Sequence, residues 1–376
     1  MKISSIEPYL LRCPIDVPFG WSQGWIDYRT TTLVKITTDS GIIGWGEGGD
    51  PGIIEHTFSP LLIGENPLER NKLWDRMFHN LYNTNNFVGM ACSSLSALDI
   101  ALWDIAGRAF DLPIHALLGG KIRDRIAVYA TGLYYTEGEF PNRLLDEAKS
   151  YVQQGFMGMK TKVGGLSVEE DIDRVIAIKE AIGSDVKLMI DANEAYNAAT
   201  AIRIGMQLSD LDLMWFEEPV NAQDIAAYHE VKAALPMAIA GGENLRTRFE
   251  FKDYLSQRAF DIAQPDVRDC GGITEMARIA SIANAHGILV NPHVWGSPIM
   301  IAASLHLSST FPPCPAALNP LPFVQEPVME FDRTPSAIRE TLCDTPFDQK
   351  DGYVEVPNGP GLGIEVNENV VKDLSS

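Results

Sequence analysis

Charged side chains close one apolar run after another in this sequence. Lys160 and Lys162 end the stretch from Gly158, and Asp191, Glu217, Glu243, Asp266 and His293 each end a later one. Asp191, Glu217 and Glu243 fall at equal intervals, one carboxylate to each repeating unit, so all three should point at one centre. Three hard oxygen ligands with no cysteine beside them suit Mg²⁺, with Mn²⁺ as the alternative. A divalent cation facing lysines and a histidine suggests removal of a proton from the carbon beside a carboxylate. Such a proton is very weakly acidic, and its loss requires strong stabilisation of an enediolate dianion by metal and donors. Lys162, beside Lys160 and a cation, has its charged form disfavoured and can serve as a neutral base.

These side chains need a scaffold that gathers successive strand ends. Beyond about residue 125, β-rich apolar runs alternate with helical stretches: Ile126 to Tyr129, Gly158 to Lys162, Lys187 to Asp191, Leu213 to Glu217, Met237 to Glu243, Phe260 to Asp266, Ile288 to His293 and Ala317 to Asn319. Alternation of this kind implies parallel βαβ units, and eight within about 200 residues fit a closed barrel better than an open sheet. Active sites of such barrels form at the C-terminal strand ends, where the charged residues lie. Before the barrel, Ile3 to Leu11, Thr31 to Thr37 and Ile42 to Trp45 carry β signals around the turn Asp39-Ser40-Gly41. A helical period from about 67 to 120, clearest in Leu95 to Ala106, should cover this meander. The expected fold class is therefore α/β: a modified (β/α)-barrel of TIM type, about eight strands, with an α+β capping domain. Its expected parts are a capping domain over 1–124, a barrel over 125–320, and a C-terminal segment over 321–376 that packs back on the cap and holds a last strand at Gly352 to Val356.

Six segments carry a more specific signal. Lys160-Thr161-Lys162, Asp191-Ala192-Asn193, Phe216-Glu217-Glu218-Pro219, Gly241-Gly242-Glu243-Asn244, Gln264-Pro265-Asp266 and Asn291-Pro292-His293-Val294-Trp295-Gly296 resemble, in order, the strand-end motifs of the mandelate racemase subgroup of the enolase superfamily. The resemblance spans essentially the whole chain. Within the subgroup, Pro292 to Gly296 and Glu330-Phe331-Asp332-Arg333-Thr334 are similar to segments of galactarolactone cycloisomerases and acid-sugar dehydratases. The resemblance implies that Asp191, Glu217 and Glu243 hold Mg²⁺, that Lys162 and His293 are the acid/base pair, and that Asp266 orients His293. It further implies that Lys160 neutralises the substrate carboxylate or enolate, that Asn193 lies beside the metal, and that Glu330 donates a hydrogen bond to a carboxylate oxygen. Trp21 and Trp25, in the glycine-rich stretch Phe19 to Trp25, would close over the barrel mouth and with Trp295 shape the substrate pocket. A symmetric homo-oligomer is implied as well.

The expected reaction is abstraction of the α-proton of an acid sugar or its lactone, followed by β-elimination as dehydration or lactone cycloisomerisation. A racemase or epimerase could use the same two opposed groups. A scaffold that kept the fold without catalysis would have lost a ligand or a base, whereas every such position here is filled. Specificity should lie in loops near 14–30 and 47–60 and at the last barrel strand. The net charge of −20 disfavours nucleic acid and anionic membrane surfaces, so the expected partner is a small carboxylate met by local positive charge. No stretch reads as a signal peptide or membrane span, and five scattered cysteines without a Cys-x-x-Cys pair suggest free thiols in a cytoplasmic protein. Gly20-x-Ser22-x-Gly24 matches a hydrolase nucleophile elbow, but Pro18 precedes it and β-like sequence follows it, the wrong context. Neither a His-x-His pair nor a Gly-x-x-x-x-Gly-Lys loop occurs.

Overall fold

Two sheets organise the computed structural model, which describes residues 1–83, 89–138 and 140–375. The first is an antiparallel meander of β1 (Ile3–Trp21), β2 (Gly24–Thr38) and β3 (Ile43–Glu47). Its first two strands run far beyond the expected segments, because the alternation of Ile15, Val17, Phe19 and Trp21 continues the β period. The region expected as a loop near 14–30 is thus a long hairpin turning at Ser22 and Gln23. Its register slips between Pro14 and Phe19, where Pro14 and Pro18 lack the N–H that a regular ladder needs.

Helices α1 (Arg70–Asn83) and α2 (Met90–Phe110) cover one face of the meander, with α2 buried along almost its whole length. Gly44 and Gly46 let β3 lie directly on α2: a Cβ at either would overlap the backbone of Ala101 or Ala97. Leu73, Trp74, Met77, Leu95, Leu98 and Leu102 fill the space between with Val34 and Ile36.

The second sheet is the barrel, built from β4 (Arg125–Thr131), β5 (Gly158–Lys162), β6 (Lys187–Asp191), β7 (Trp215–Glu217), β8 (Ala238–Gly241), β9 (Ile262–Ala263) and β10 (Leu289–Val290). Each pairs in parallel with the next. The eighth strand is not Ala317 to Asn319, which form an exposed loop among prolines, but β11 (Val328–Asp332), parallel to β4. The 321–376 segment expected to lie outside the barrel therefore supplies its last stave. The strand expected at its far end, β12 (Tyr353–Glu355), pairs antiparallel with β4 rather than with the meander. Much of the segment still returns to the cap: Gly361 exchanges backbone bonds with Leu112 and Ile114, Arg108 pairs with Glu365, and at the terminal helix α3 (Glu368–Leu374) Glu368 pairs with Lys35 and Ser375 bridges to Leu11.

No backbone ladder joins β10 to β11 among the described residues; side chains close the seam instead. Asn291 Oδ1 accepts from Val328 N and Glu330 Oε2 accepts from Val294 N, both at 3.0 Å. Two barrel helices, α4 (Gly272–Ala285) and α5 (Pro298–Thr310), meet the cap through their N-termini. Asp99 of α2 accepts from Thr274 N, and Glu47 at the end of β3 accepts from Ser297 N and Met300 N. A carboxylate among orphan N–H groups at a helix start is favourable by about 1 kcal/mol. All five cysteines are unpaired and buried. Among the described residues no helix is long and apolar enough to cross a membrane.

His306 of α5 joins the barrel to the C-terminal segment as a neutral imidazole. Nε2 donates to the Leu362 carbonyl at 3.1 Å, while Nδ1 accepts the His115 backbone N–H at 3.4 Å. A second proton would therefore face a donor, and burial holds its pKa down at about 4. Because the folded value lies below the unfolded one, this contribution is complete above about pH 6.5 and is lost as pH falls towards 4, by about 3 kcal/mol. Urea titrations at pH 7, 5.5 and 4 should show a shallower loss of stability in His306→Gln than in the wild type. Equal slopes would contradict this assignment.

Candidate active site

Alternate side chains of each barrel strand enter the lumen, so a residue and the one two positions on line it together. Tyr129, Met189, Trp215, Ile262 and Val328 form an apolar plug in which Tyr129 meets Trp215 edge-on, ring centroids 5.2 Å apart. Two residues further along the same strands, above this floor, stand Thr131, Asp191, Glu217, Gln264 and Glu330, all buried. The period that makes the plug also stacks the polar layer on it.

Asp191, Glu217 and Glu243 converge as their spacing predicts: one carboxylate oxygen from each lies within 4.8 Å of the others. Glu217 is fixed by Trp215 Nε1 at 2.9 Å and Gln264 Nε2 at 2.7 Å, and its other oxygen pairs with Lys160. Burial pushes its carboxyl up to about 7; Lys160 opposes this, and Asp191, Glu243 and Glu330 add to it. Glu243 is also raised, first by burial. This set of crowded hard oxygens, free of sulfur and nitrogen donors, fits a divalent cation.

Lys160 is almost completely buried, 1% exposed, and besides Glu217 lies 3.3 Å from Asp191 and 3.2 Å from Glu330. Lys162 donates to Asp191 Oδ2 at 2.5 Å and to Asn193 Oδ1 at 2.9 Å, and its ammonium lies 5.2 Å from the centre of the Tyr134 ring. Burial pushes the ammonium down, but Asp191 outweighs it and holds Lys162 well above the usual lysine range. Asn193 spans the site, with its backbone N–H on Asp191 Oδ1 at 2.9 Å and Nδ2 at 3.4 Å from Glu243.

His293 approaches from the Glu243 side. Its Nδ1 donates to Asp266 Oδ2 at 2.8 Å, and Nε2 lies 3.6 Å from both Glu243 and Glu330. Burial opposes its charge, yet Glu243, Glu330 and Asp266 hold the imidazole up at about 10. Glu330 lies on β11. It accepts from Thr131 Oγ1 at 2.6 Å and from Val294 N at 3.0 Å, and it pairs with Lys160. Burial alone would raise its carboxyl, but Lys160, His293 and Thr131 outweigh it and lower it to about 2.

The hairpin of the cap lies on the barrel mouth: Ser22 Oγ donates to the Ala192 carbonyl at 2.7 Å and Gln23 Nε2 to that of Asn193 at 2.9 Å. Trp21 and Trp295 pack with Ile15, Phe19 and Tyr134 into an aromatic wall next to Lys162. Trp295 also stacks under Arg29, 3.6 Å from the ring centroid. Trp25 is not gathered with them. It covers the backbone of Gly20, is 56% exposed, and lines an outer cavity with Tyr135, Phe140 and Leu166. Sequence reasoning missed Gln264, Trp215, Thr131 and Tyr134 as supports of the charged layer. The i and i+2 alternation that puts Glu217 and Asp191 in the lumen could have pointed to the first three.

Comparison with known proteins agrees with this geometry. Residues 143–370 match the family described as enolase C-terminal domain-like, and residues 6–119 match the mandelate racemase / muconate lactonizing enzyme N-terminal domain. D-galactarolactone cycloisomerase of Agrobacterium fabrum is 38% identical over 381 aligned positions, covering 100% of this chain and 99% of that protein. Arabinonate dehydratase of Saccharolobus solfataricus is 35% identical over 90% of this chain and 89% of its own. The crystal structure of the 3,6-anhydro-D-galactonate cycloisomerase from Zobellia galactanivorans superposes with a TM-score of 0.88 at 36% identity, covering 100% of both chains.

A cation that binds only the folded carboxylate cluster should stabilise the fold, by about 2.7 kcal/mol at a concentration 100-fold above its Kd. Thermal unfolding in Mg²⁺ or Mn²⁺ should therefore occur at higher temperature than in EDTA. The difference should be lost in Asp191→Asn and Glu243→Gln; an undiminished difference in both variants would place the cation elsewhere.

Proposed function

The chain belongs to the mandelate racemase / muconate lactonizing enzyme family of the enolase superfamily, and from that membership we propose that it removes the α-proton of an acid sugar or its lactone and then eliminates the β-oxygen. One observation carries the reading: the Asp191, Glu217 and Glu243 cluster has Lys162 on its Asp191 side and the His293–Asp266 pair on its Glu243 side. A Mg²⁺ ion held by the three carboxylates, with Mn²⁺ as the alternative, would supply positive charge to the enediolate and draw the charge of Asp191 away from Lys162. Lys162, relieved of that hold, exchanges a proton with one face of the substrate. His293, its Nδ1 occupied by Asp266, works through Nε2 on the other and protonates the departing oxygen or the resulting enol. Lys160 contributes fixed positive charge from below, and Asn193 ties Lys162 to Glu243. Trp21, Tyr134 and Trp295 wall the mouth and exclude water, which strengthens every charge interaction inside.

The departing β-oxygen decides the overall reaction. If it leaves as a hydroxyl the product is dehydrated; if it belongs to a ring, the ring opens. The 38% identical relative and the Zobellia protein are named cycloisomerases, and the 35% identical relative a dehydratase, which supports β-elimination in general. Two opposed acid/base groups also suit a racemase, the second reading.

The Mg²⁺-loaded protein, incubated in D₂O with D-galactarolactone, D-galactonate, D-arabinonate and 3,6-anhydro-D-galactonate, is expected to give a dehydrated or ring-opened product by NMR. Lys162→Ala and His293→Ala should each slow it by about 10²- to 10⁴-fold. Deuterium entering recovered substrate with no elimination would instead establish the racemase. Neither product nor exchange across the set would overturn the acid-sugar assignment.

A further inference from the structure

Asp266, the anchor of His293, is itself gripped from another side. The backbone N–H of Arg268 donates to Asp266 Oδ1 at 2.7 Å, and its Nη2 lies 3.3 Å from Oδ2, the oxygen that also takes the His293 proton. Its other terminal nitrogen, Nη1, lies 3.5 Å from Oε1 of Glu47. Glu47 comes from the antiparallel layer and is rigidly held by Thr31 Oγ1 at 2.8 Å, Ser297 N at 3.0 Å and Ser297 Oγ at 2.5 Å. A continuous, partly buried chain thus runs from the imidazole through Asp266 and Arg268 to Glu47 at the end of β3. Gly296, three residues beyond His293, is shaped to the pair: a Cβ there would come within 2.9 Å of Glu47 Oε1 and 3.2 Å of Arg268 Nη1. Nε of Arg268 is buried without a partner, so the two carboxylates at the fork tips set the guanidinium's position.

We propose that Arg268, braced by Glu47, is a positioning residue for His293: it fixes the plane of the Asp266 carboxylate and shares its negative charge. A carboxylate held by one imidazole N–H can turn about its Cβ–Cγ bond and carry the ring with it. The Arg268 amide and guanidinium hold both oxygens and remove that freedom. The guanidinium also competes with His293 for the charge of Asp266, so the imidazolium is less strongly stabilised than it would be beside a lone aspartate. The cap therefore contributes to the chemistry through Glu47 without touching the substrate. The proposal rests on the reading of His293 as an acid/base group. The rival account is a plain staple between layers, which would affect stability alone.

The test uses the full-length Mg²⁺-loaded protein with ¹⁵N-labelled histidine, the His293 signals being those absent from His293→Asn. In Arg268→Met and Arg268→Gln the Nδ1 proton resonance should move or broaden relative to wild type. For whichever acid of the preceding set is converted, kcat should fall about 10- to 100-fold with KM nearly unchanged, as expected for loss of a group that orients a catalytic residue. Glu47→Gln, which keeps the Arg268–Asp266 contact, should move the same resonance in the same direction by less, and it serves if the Arg268 variants do not fold. An unmoved resonance and unchanged kcat, with only a lower unfolding temperature, would overturn the proposal in favour of the staple. If the wild type converts none of the acids, the acid-sugar reading fails, while the resonance still decides the role of Arg268.

Discussion

Four carboxylates and two ammonium groups share one buried layer above the barrel plug, and an unpaired charge there would cost several kcal/mol. Interleaving makes the layer tolerable: Lys160 sits among Asp191, Glu217 and Glu330, Lys162 on Asp191, and His293 near Glu243 and Glu330. Neutral donors take up the remaining lone pairs, Trp215 and Gln264 on Glu217 and Thr131 and the Val294 amide on Glu330. Burial pushes the Glu217 and Glu243 carboxyls upward, and the neighbouring carboxylates add to it. Carboxylates crowded in this way would favour a cation at this point, and its charge would in turn favour an anion in an acidic protein.

The antiparallel layer does more than cover the barrel. Its hairpin tip is bonded to the carbonyls of Ala192 and Asn193, immediately after Asp191, so the hairpin rests on the strand end that contributes to the carboxylate cluster. Its aromatic residues join Tyr134 and Trp295 in one wall. Its carboxylates, Asp99 and Glu47, meet the N-termini of two barrel helices, where unpaired N–H groups favour negative charge. Each tie is made by a residue that would be costly to bury alone, so the layers stabilise each other.

Much of this was legible beforehand, for reasons visible in particular residues. The runs Gly158 to Lys162 and Lys187 to Asp191 coincide with strands, because a β-rich run ending in a charge marks both the stave and its active-site end. The eighth stave was misplaced because Ala317 and Leu318 look locally strand-like, whereas Val328 to Asp332 alternate with two acids and resemble an exposed tail. Only pairing with β4 reveals the latter as a strand, and that partner lies about 200 residues away in sequence, a separation no local pattern reports. Trp25 was likewise grouped with Trp21 by proximity, although the hairpin turns them to different surroundings.

The sequence by itself determined which side chains stand at the barrel's strand ends and which way they face, since both follow from the two-residue period of a strand and the repeat of its units. Tertiary structure alone decided what those side chains touch. Lys162 donates to Asp191, Glu330 accepts from Thr131 and the Val294 amide, and Asp266 is gripped by an arginine that a glutamate of the other layer braces. Protonation and orientation depend on charges and donors a few ångströms away in space, and those come from strands and layers that are remote along the chain.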